Sequence, residues 1–155
     1  MEEFFHEMKD SAPIIGWIHN ISLNQQKYMS LKLKGMNLNH DVRYIMFIYD
    51  NPNCSQDDLV KMSGQSKANI AYILKKFEDE RYVKREVNPK NRRKYMLNTT
   101  EKGSELVPMI RQISKEWEAE VGLNENDVEF REKLIQIAVN GQRLINENKD
   151  DLPWK

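Results

Sequence analysis

The feature that most constrains this chain is a segment with helical periodicity, residues 66–77, followed at once by a segment rich in cations. The large apolar residues of the segment stand at positions 70, 73, 74 and 77, which is the spacing of a helix with one buried face. The same spacing turns a polar and basic set outward: Lys67, Asn69, Tyr72, Lys75 and Lys76. The sequence therefore predicts a helix whose second face is exposed and able to meet a partner.

A two-stranded ribbon is predicted after this helix, with strands at residues 82–87 and 92–97 and a turn at residues 88–91. Between residues 65 and 94, ten cations oppose four anions, although the whole chain has a formal net charge of zero. Local positive charge is what the neutralisation of phosphates requires. The pattern suits duplex DNA, with the helix in the major groove and the arginine-rich tip at flanking phosphates or the minor groove.

Capping residues divide the rest of the chain into helices. Pro13 fits the first turn of a long helix that Gly35 ends. The N-caps predicted for the remaining helices are Asn39, Ser55, Ser66, Thr100 and Asn124. Pro108 lies inside the helix expected from Thr100 to about Gly122, so it should kink that helix or displace its start. One ribbon among helices indicates a mostly helical α+β chain.

Several functional classes are excluded by composition. One cysteine rules out an internal disulfide framework, and the scattered His6, His19 and His40 show no ligand spacing with Cys54, so no metal site and no cofactor are expected. Cys54 has no activating partner in sequence and is predicted to be a small buried residue rather than a redox switch. No catalytic constellation stands out. The acidic N-terminus is unlike a signal peptide and no apolar run could span a bilayer, so a cytoplasmic protein without a membrane partner is expected.

The order of these elements resembles the MarR family of winged-helix repressors. The likeness is sharpest from Ser55 to Gly103, where residues 88–103 are similar to the wing signature D-P-x-D-R-R-x-x-x-L-x-L-T-x-x-G. The resemblance implies a winged helix-turn-helix at residues 37–100, with N- and C-terminal dimerisation helices at residues 1–36 and 101–155. The apolar seams of the terminal helices also exceed what one small winged-helix core can bury, which independently favours a dimer.

Three positions depart from the family pattern. Asn91 replaces the wing aspartate that orients an arginine; it can still accept a hydrogen bond from Arg93 but carries no charge. The helix at residues 66–77 corresponds to the recognition helix of the family. Arg81 stands where a glycine often follows that helix, so a different turn is expected there. Tyr72 replaces a common recognition-helix arginine, which implies a different operator sequence.

The candidate DNA contacts lie on the recognition helix and the wing: Ser66, Lys67, Asn69, Tyr72, Lys76, Lys90, Arg92 and Arg93. Asn69 can pair with an adenine edge, whereas Ser66 could serve as a cap alone and Tyr72 could shield the helix–wing junction. The resemblance also implies a small aromatic effector between the dimerisation and DNA-binding parts. Trp17, Tyr28, Met46 and Trp117 are candidates for that pocket, but core packing explains them equally well.

The prediction from sequence is a non-enzymatic, sequence-specific regulator of transcription that binds double-stranded DNA. It is expected to be a homodimeric repressor on a palindromic operator, released by a small aromatic ligand. The alternative is a winged-helix protein-interaction module that uses its basic face on an acidic partner.

Overall fold

A computed structural model describes residues 11–36, 38, 42–89, 91–92, 94–124 and 126–148 of the chain. These residues form six helices and two strands, in the order α1 (Ile14–Lys32), α2 (Val42–Asp50), α3 (Gln56–Ser63), α4 (Lys67–Asp79), β1 (Val83–Val87), β2 (Tyr95–Thr99), α5 (Glu101–Glu120) and α6 (Val128–Glu147). The chain divides into two compact units, residues 1–117 and 118–155. The predicted α+β, mostly helical winged-helix architecture is confirmed.

The helices give no sign of membrane insertion: within the described ranges, none combines the length and the apolar character that crossing a bilayer requires.

The first unit has one hydrophobic core, to which each of its elements contributes. Ile45 of α2, Leu59 of α3, Ile70 and Leu74 of α4, and Ile110 of α5 are completely buried. All four apolar positions predicted for the face of α4 are buried. Full burial of an aliphatic side chain of this size stabilises a fold by about 1.5–3 kcal/mol. The buried stripe therefore fixes which face of α4 remains outside.

Three of the predicted helix starts are confirmed by their hydrogen bonds. Ser55 and Asp58 form a reciprocal capping box, in which the Asp58 N–H donates to Ser55 Oγ (3.3 Å) and the Ser55 N–H donates to Asp58 Oδ2 (2.9 Å). Ser66 Oγ accepts from the Asn69 N–H at 3.2 Å, and Thr100 Oγ1 accepts from the Gly103 N–H at 3.1 Å. The predicted cap at Asn39 lies outside the described residues.

The predicted boundaries at Asn124 and Gly35 need correction, and one of the two alternatives for Pro108 is excluded. Helix α6 begins at Val128 rather than directly after Asn124, because Asn124 Oδ1 accepts from the Asn126 N–H (2.7 Å) and holds a turn before the helix. Helix α5 runs through Pro108 from Glu101, so the proline does not displace its start. Helix α1 ends at Lys32, and Gly35 takes its left-handed φ of 93° in the turn beyond.

The tip of the ribbon is longer than the sequence suggested. Strands β1 and β2 are antiparallel, and their register ends at the pair Val87↔Tyr95, so Arg92 belongs to the loop and not to a strand. The Asn88 N–H donates to the Lys94 carbonyl at 3.0 Å and closes this loop. At the other end of the ribbon, an isolated antiparallel bridge joins Cys54 to Leu97.

The turn after α4 keeps a left-handed residue although that residue is an arginine. Arg81 has a φ of 60°, so the expectation of a different turn was wrong. The Arg81 N–H donates to the Glu78 carbonyl (3.0 Å), and its own carbonyl accepts from Thr100 Oγ1 (2.6 Å). These bonds hold a backbone conformation that costs a non-glycine residue about 1–2 kcal/mol.

Candidate nucleic-acid interface

The exposed face of α4 carries the side chains that the sequence assigned to DNA. Ser66, Lys67, Asn69 and Tyr72 are exposed, and Lys76 is half-buried. Tyr72 has 70% of its surface accessible, which is unusual for an aromatic residue at the middle of a helix. Asn69, Tyr72 and Lys76 follow one another at i, i+3 and i+7, so they form a line along the helix.

The amide of Asn69 is already oriented by a neighbour that the sequence reasoning missed. Asn69 Nδ2 donates to Gln65 Oε1 at 3.1 Å, while its backbone N–H donates to the Ser66 hydroxyl. One Nδ2 hydrogen and the Oδ1 acceptor remain for a ligand, and they are the pair that an adenine edge requires. The i, i+4 spacing of Gln65 and Asn69 was the available signal.

The first turn of α4 is tied to the start of α3. Lys67 Nζ lies 2.9 Å from Asp57 Oδ1, and the Gln56 side-chain amide donates to the Lys67 carbonyl at 3.0 Å. The hydrogen bond and the charge of Lys67 lower the pKa of the Asp57 carboxyl. Lys67 is outward-facing as predicted, but a phosphate would have to compete with Asp57 for it.

The wing carries an exposed arginine at its tip. Arg92 lies in the tip loop and is exposed, as is Lys94 at the start of the return to β2. Lys84, on the outer face of β1, is paired with Glu86 at 3.1 Å, so part of the positive charge counted in the sequence is neutralised within the ribbon. Lys90 and Arg93, two predicted contacts, lie outside the described residues.

The four candidates for an effector pocket are all half-buried. Tyr28 and Met46 pack against the hydrophobic core, as the core-packing alternative requires. Lys32 Nζ lies 5.2 Å from the centre of the Tyr28 ring and 3.3 Å from Glu116 Oε2, which ties the end of α1 to α5. Trp17 in α1 and Trp117 in α5 complete the set.

Cys54 is buried, as predicted. Burial and then the charge of Asp58 raise the pKa of its thiol to about 11, so the thiol stays protonated and unreactive near neutral pH. Among the residues that the structure describes, no group of three or more His, Cys, Asp or Glu side chains could hold a metal ion.

Comparison with known proteins gives matches to regulators of transcription. A family model described as the MarR family matches residues 34–94. The HTH-type transcriptional regulator BilQ of Clostridioides difficile (strain CD3) is 28% identical over 123 residues, which are 79% of this chain and 83% of BilQ. These matches are regulators of transcription and not enzymes, in agreement with the prediction from sequence.

Solved structures show the same fold. A crystal structure of MarR superposes with a TM-score of 0.79 and 26% identity, covering 88% of this chain and 96% of that one. A MarR family transcriptional regulator from Listeria monocytogenes, complexed with 26mer DNA, superposes with a TM-score of 0.75 and 21% identity, covering 88% of this chain and 91% of that one.

Proposed function

We propose that this chain, which belongs to the MarR family of transcriptional regulators, represses transcription as a homodimer bound to a palindromic operator. The observation that carries the proposal is the exposed face of α4, where Gln65 orients the Asn69 amide beside a wing with an exposed Arg92. A helix of this kind fits the major groove and can read bases there. The Listeria relative, which shares the fold, binds DNA in its crystal.

A second copy of the chain is the proposed partner of α1 and α6. Every residue of α6 is exposed in the single chain, including large apolar side chains such as Phe130, Ile137 and Ile145. Ile14 and Ile15 of α1 are exposed as well. We assign dimerisation to residues 1–36 and 101–155 and DNA binding to residues 37–100. A two-fold dimer would present two recognition helices to half-sites about 34–36 Å apart.

A small aromatic carboxylate is the proposed effector, bound near Trp17, Tyr28, Met46 and Trp117. The two DNA-binding regions of a dimer must be spaced to match the two half-sites. A ligand weakens operator binding only if it binds more tightly to a dimer with a different spacing. Linkage then requires that the operator weaken ligand binding by the same factor. Isothermal calorimetry with and without operator measures both effects, and equal ligand affinity in the two experiments would exclude an effector of this kind.

Binding of a labelled duplex by fluorescence anisotropy tests the proposed function. The natural probe is the DNA upstream of the coding region, and the matched control is the same duplex with one half-site scrambled. We expect tighter binding to the intact inverted repeat and an affinity that falls steeply with salt. In this role the chain would act in the cytoplasm, where its DNA lies. Equal binding of both duplexes, combined with binding to an acidic polypeptide, would favour the protein-interaction alternative.

A further inference from the structure

Arg85 belongs to the cation-rich segment, but its place in the ribbon differs from that of the other cations. Side chains alternate between the two faces of a strand. Arg85 therefore shares a face with Val83, and it stands opposite Leu97 in the register. Both of those residues are buried in the core. Arg85 accordingly lies on the inner face of the wing, toward the helices, whereas Lys84 and Glu86 lie on the outer face.

Two contacts hold the Arg85 guanidinium on this inner face. Its Nε lies 3.2 Å from Oε1 of Glu78, near the end of α4, and its Cζ lies 5.5 Å from the centre of the Tyr95 ring. The side chains of Arg85 and Glu78 retain only 26% and 30% of their exposure. The buried Nε atom makes no hydrogen bond. The contact with Glu78 is therefore an ion pair that depends on the proximity of the two charges. This charge is much less accessible than that of Lys67, whose side chain is 73% exposed.

The ion pair lies where the packed base of the ribbon gives way to its free end. Val83, on the base side, and Leu97, directly opposite Arg85, are buried, whereas Val87 and Tyr95, on the tip side, are 52% and 49% exposed. Beyond Arg85 the described part of the ribbon has little core packing to fix its direction. At this boundary, the contact between Arg85 and Glu78 is an ion pair that joins the wing directly to the recognition helix.

We propose that the Glu78–Arg85 ion pair sets the angle of the wing against the recognition helix, so that both residues are positioning residues for DNA binding. Arg85 would not bind phosphate itself. It would hold the tip, with Arg92, over the DNA that flanks the sequence read by α4. The inference rests on the proposed DNA-binding function. It gives the Glu78 carboxylate a role in DNA binding, although its negative charge alone would repel the phosphates.

Glu78→Gln gives the sharpest test because the two explanations predict opposite signs. Removing an anion from a DNA-binding face normally strengthens binding, since one repulsion with phosphate is lost. If Glu78 positions the wing, the substitution weakens binding to the full operator instead, by roughly two- to fivefold, which is the range for loss of one partly exposed ion pair. Glu86→Gln, on the outer face of the same strand, is the matched control and should not weaken binding.

The ratio of affinities for a long and a trimmed duplex distinguishes a positioning role from a general loss of stability, because destabilisation would lower both affinities alike. Wild-type protein should prefer an operator with its flanks to one trimmed to the major-groove sites, because only the longer duplex reaches the wing. Arg85→Met and Glu78→Gln should lose this preference while binding the trimmed duplex like wild type. The double variant should lose no more than either single one. The exchanged pair Glu78→Arg with Arg85→Glu should regain the preference.

Salt dependence separates positioning from direct contact. Arg92→Ala should flatten the salt slope by about one unit, as loss of one phosphate contact does. On the trimmed duplex Arg85→Met should leave the slope unchanged. Tighter binding by Glu78→Gln, or a slope lowered by about one for Arg85→Met on both duplexes, would overturn the proposal. Failure of the wild-type protein to bind either duplex would instead overturn the proposed function.

Discussion

Helices α4 and α6 are both amphipathic, but only α4 has its apolar face buried within the single chain. Helix α4 buries Ile70, Ile73, Leu74 and Phe77 in the core of its own unit. Helix α6 has apolar residues at similar spacing and buries none of them. The comparison shows that an apolar stripe predicts a face that will be covered and does not predict what covers it. A contiguous exposed apolar stripe is typical of an interaction surface, which is why we propose α6 as part of the dimer contact.

The largest effect should come from the helix that is already covered. Leu74→Ala removes a completely buried side chain from α4 and should lower the free energy of unfolding by about 2–5 kcal/mol. Urea denaturation followed by circular dichroism measures this. Tyr72→Ala, two residues earlier on the exposed face, is the matched control and should change stability by about 0.5 kcal/mol or less. Equal losses for the two variants would mean that α4 is not packed as described.

A substitution in α6 should act on assembly instead. Ile137→Asp would place an unpaired charge in the proposed dimer contact, which is costly to bury. We expect light scattering at micromolar concentration to show a dimer for wild type and a monomer for this variant. Asn146→Asp, nine residues further along α6 and therefore on its opposite side, should remain dimeric. If Ile137→Asp remains a dimer of wild-type stability, α6 does not form the interface.

The exposed face of α4 should differ from that of α6 in reading bases. Asn69→Ala should cost about 1–3 kcal/mol at particular base pairs and relax the preference there. Binding to a set of duplexes with single base changes measures this. Arg143→Ala, on α6, should leave every base preference unchanged. Uniform weakening by Asn69→Ala would show that this residue positions the helix and does not read sequence.

The smallest expected effect concerns the starts of the helices. Helix α3 has a full capping box, whereas α6 begins after Asp127 with no side-chain cap bond. Asp58→Asn should therefore destabilise the chain by about 1 kcal/mol, and Asp127→Asn by less. Hydrogen bonds from the backbone N–H and the hydroxyl of Ser55 lower the pKa of the Asp58 carboxyl below its ordinary value.

The pH dependence of this effect has a definite sign. A carboxyl whose pKa is lower in the folded state stabilises the fold above its unfolded pKa, and this contribution is lost as pH falls through the folded value. Urea unfolding at pH 7 and at successively lower pH should show the difference between wild type and Asp58→Asn shrinking below about pH 4. A difference that grows on acidification would contradict the capping assignment.

Local patterns predicted the parts of the fold that depend on local geometry. The buried face of α4 follows from residue spacing, and the caps at Ser55, Ser66 and Thr100 follow from hydrogen bonds that reach only three residues along the chain. The cap at Asn124 was misplaced because several polar residues precede α6 and the sequence does not show which bond forms. The tip of the wing was misjudged because its closure joins Asn88 to Lys94 across the whole loop.

The candidate interface was predictable as a surface, but not as a set of contacts. Spacing alone exposes Lys67, Asn69 and Tyr72. It does not reveal that Lys67 is paired with Asp57, because that pair depends on how α3 and α4 pack. The Glu78–Arg85 contact similarly requires the strand register. The assignments of Asn69 and Arg92 to DNA remain predictions.

The outer face of β1, with its Lys84–Glu86 pair, has a consequence for aggregation. The ribbon has two strands, so β1 is paired with β2 on one side, and among the described residues no strand pairs with its other edge. An open edge can template pairing with a strand of another molecule, and natural proteins block this with charged side chains. Lys84 and Glu86 are placed to do so. Replacing both with valine would be expected to leave the wing folded and make the protein prone to aggregate at high concentration.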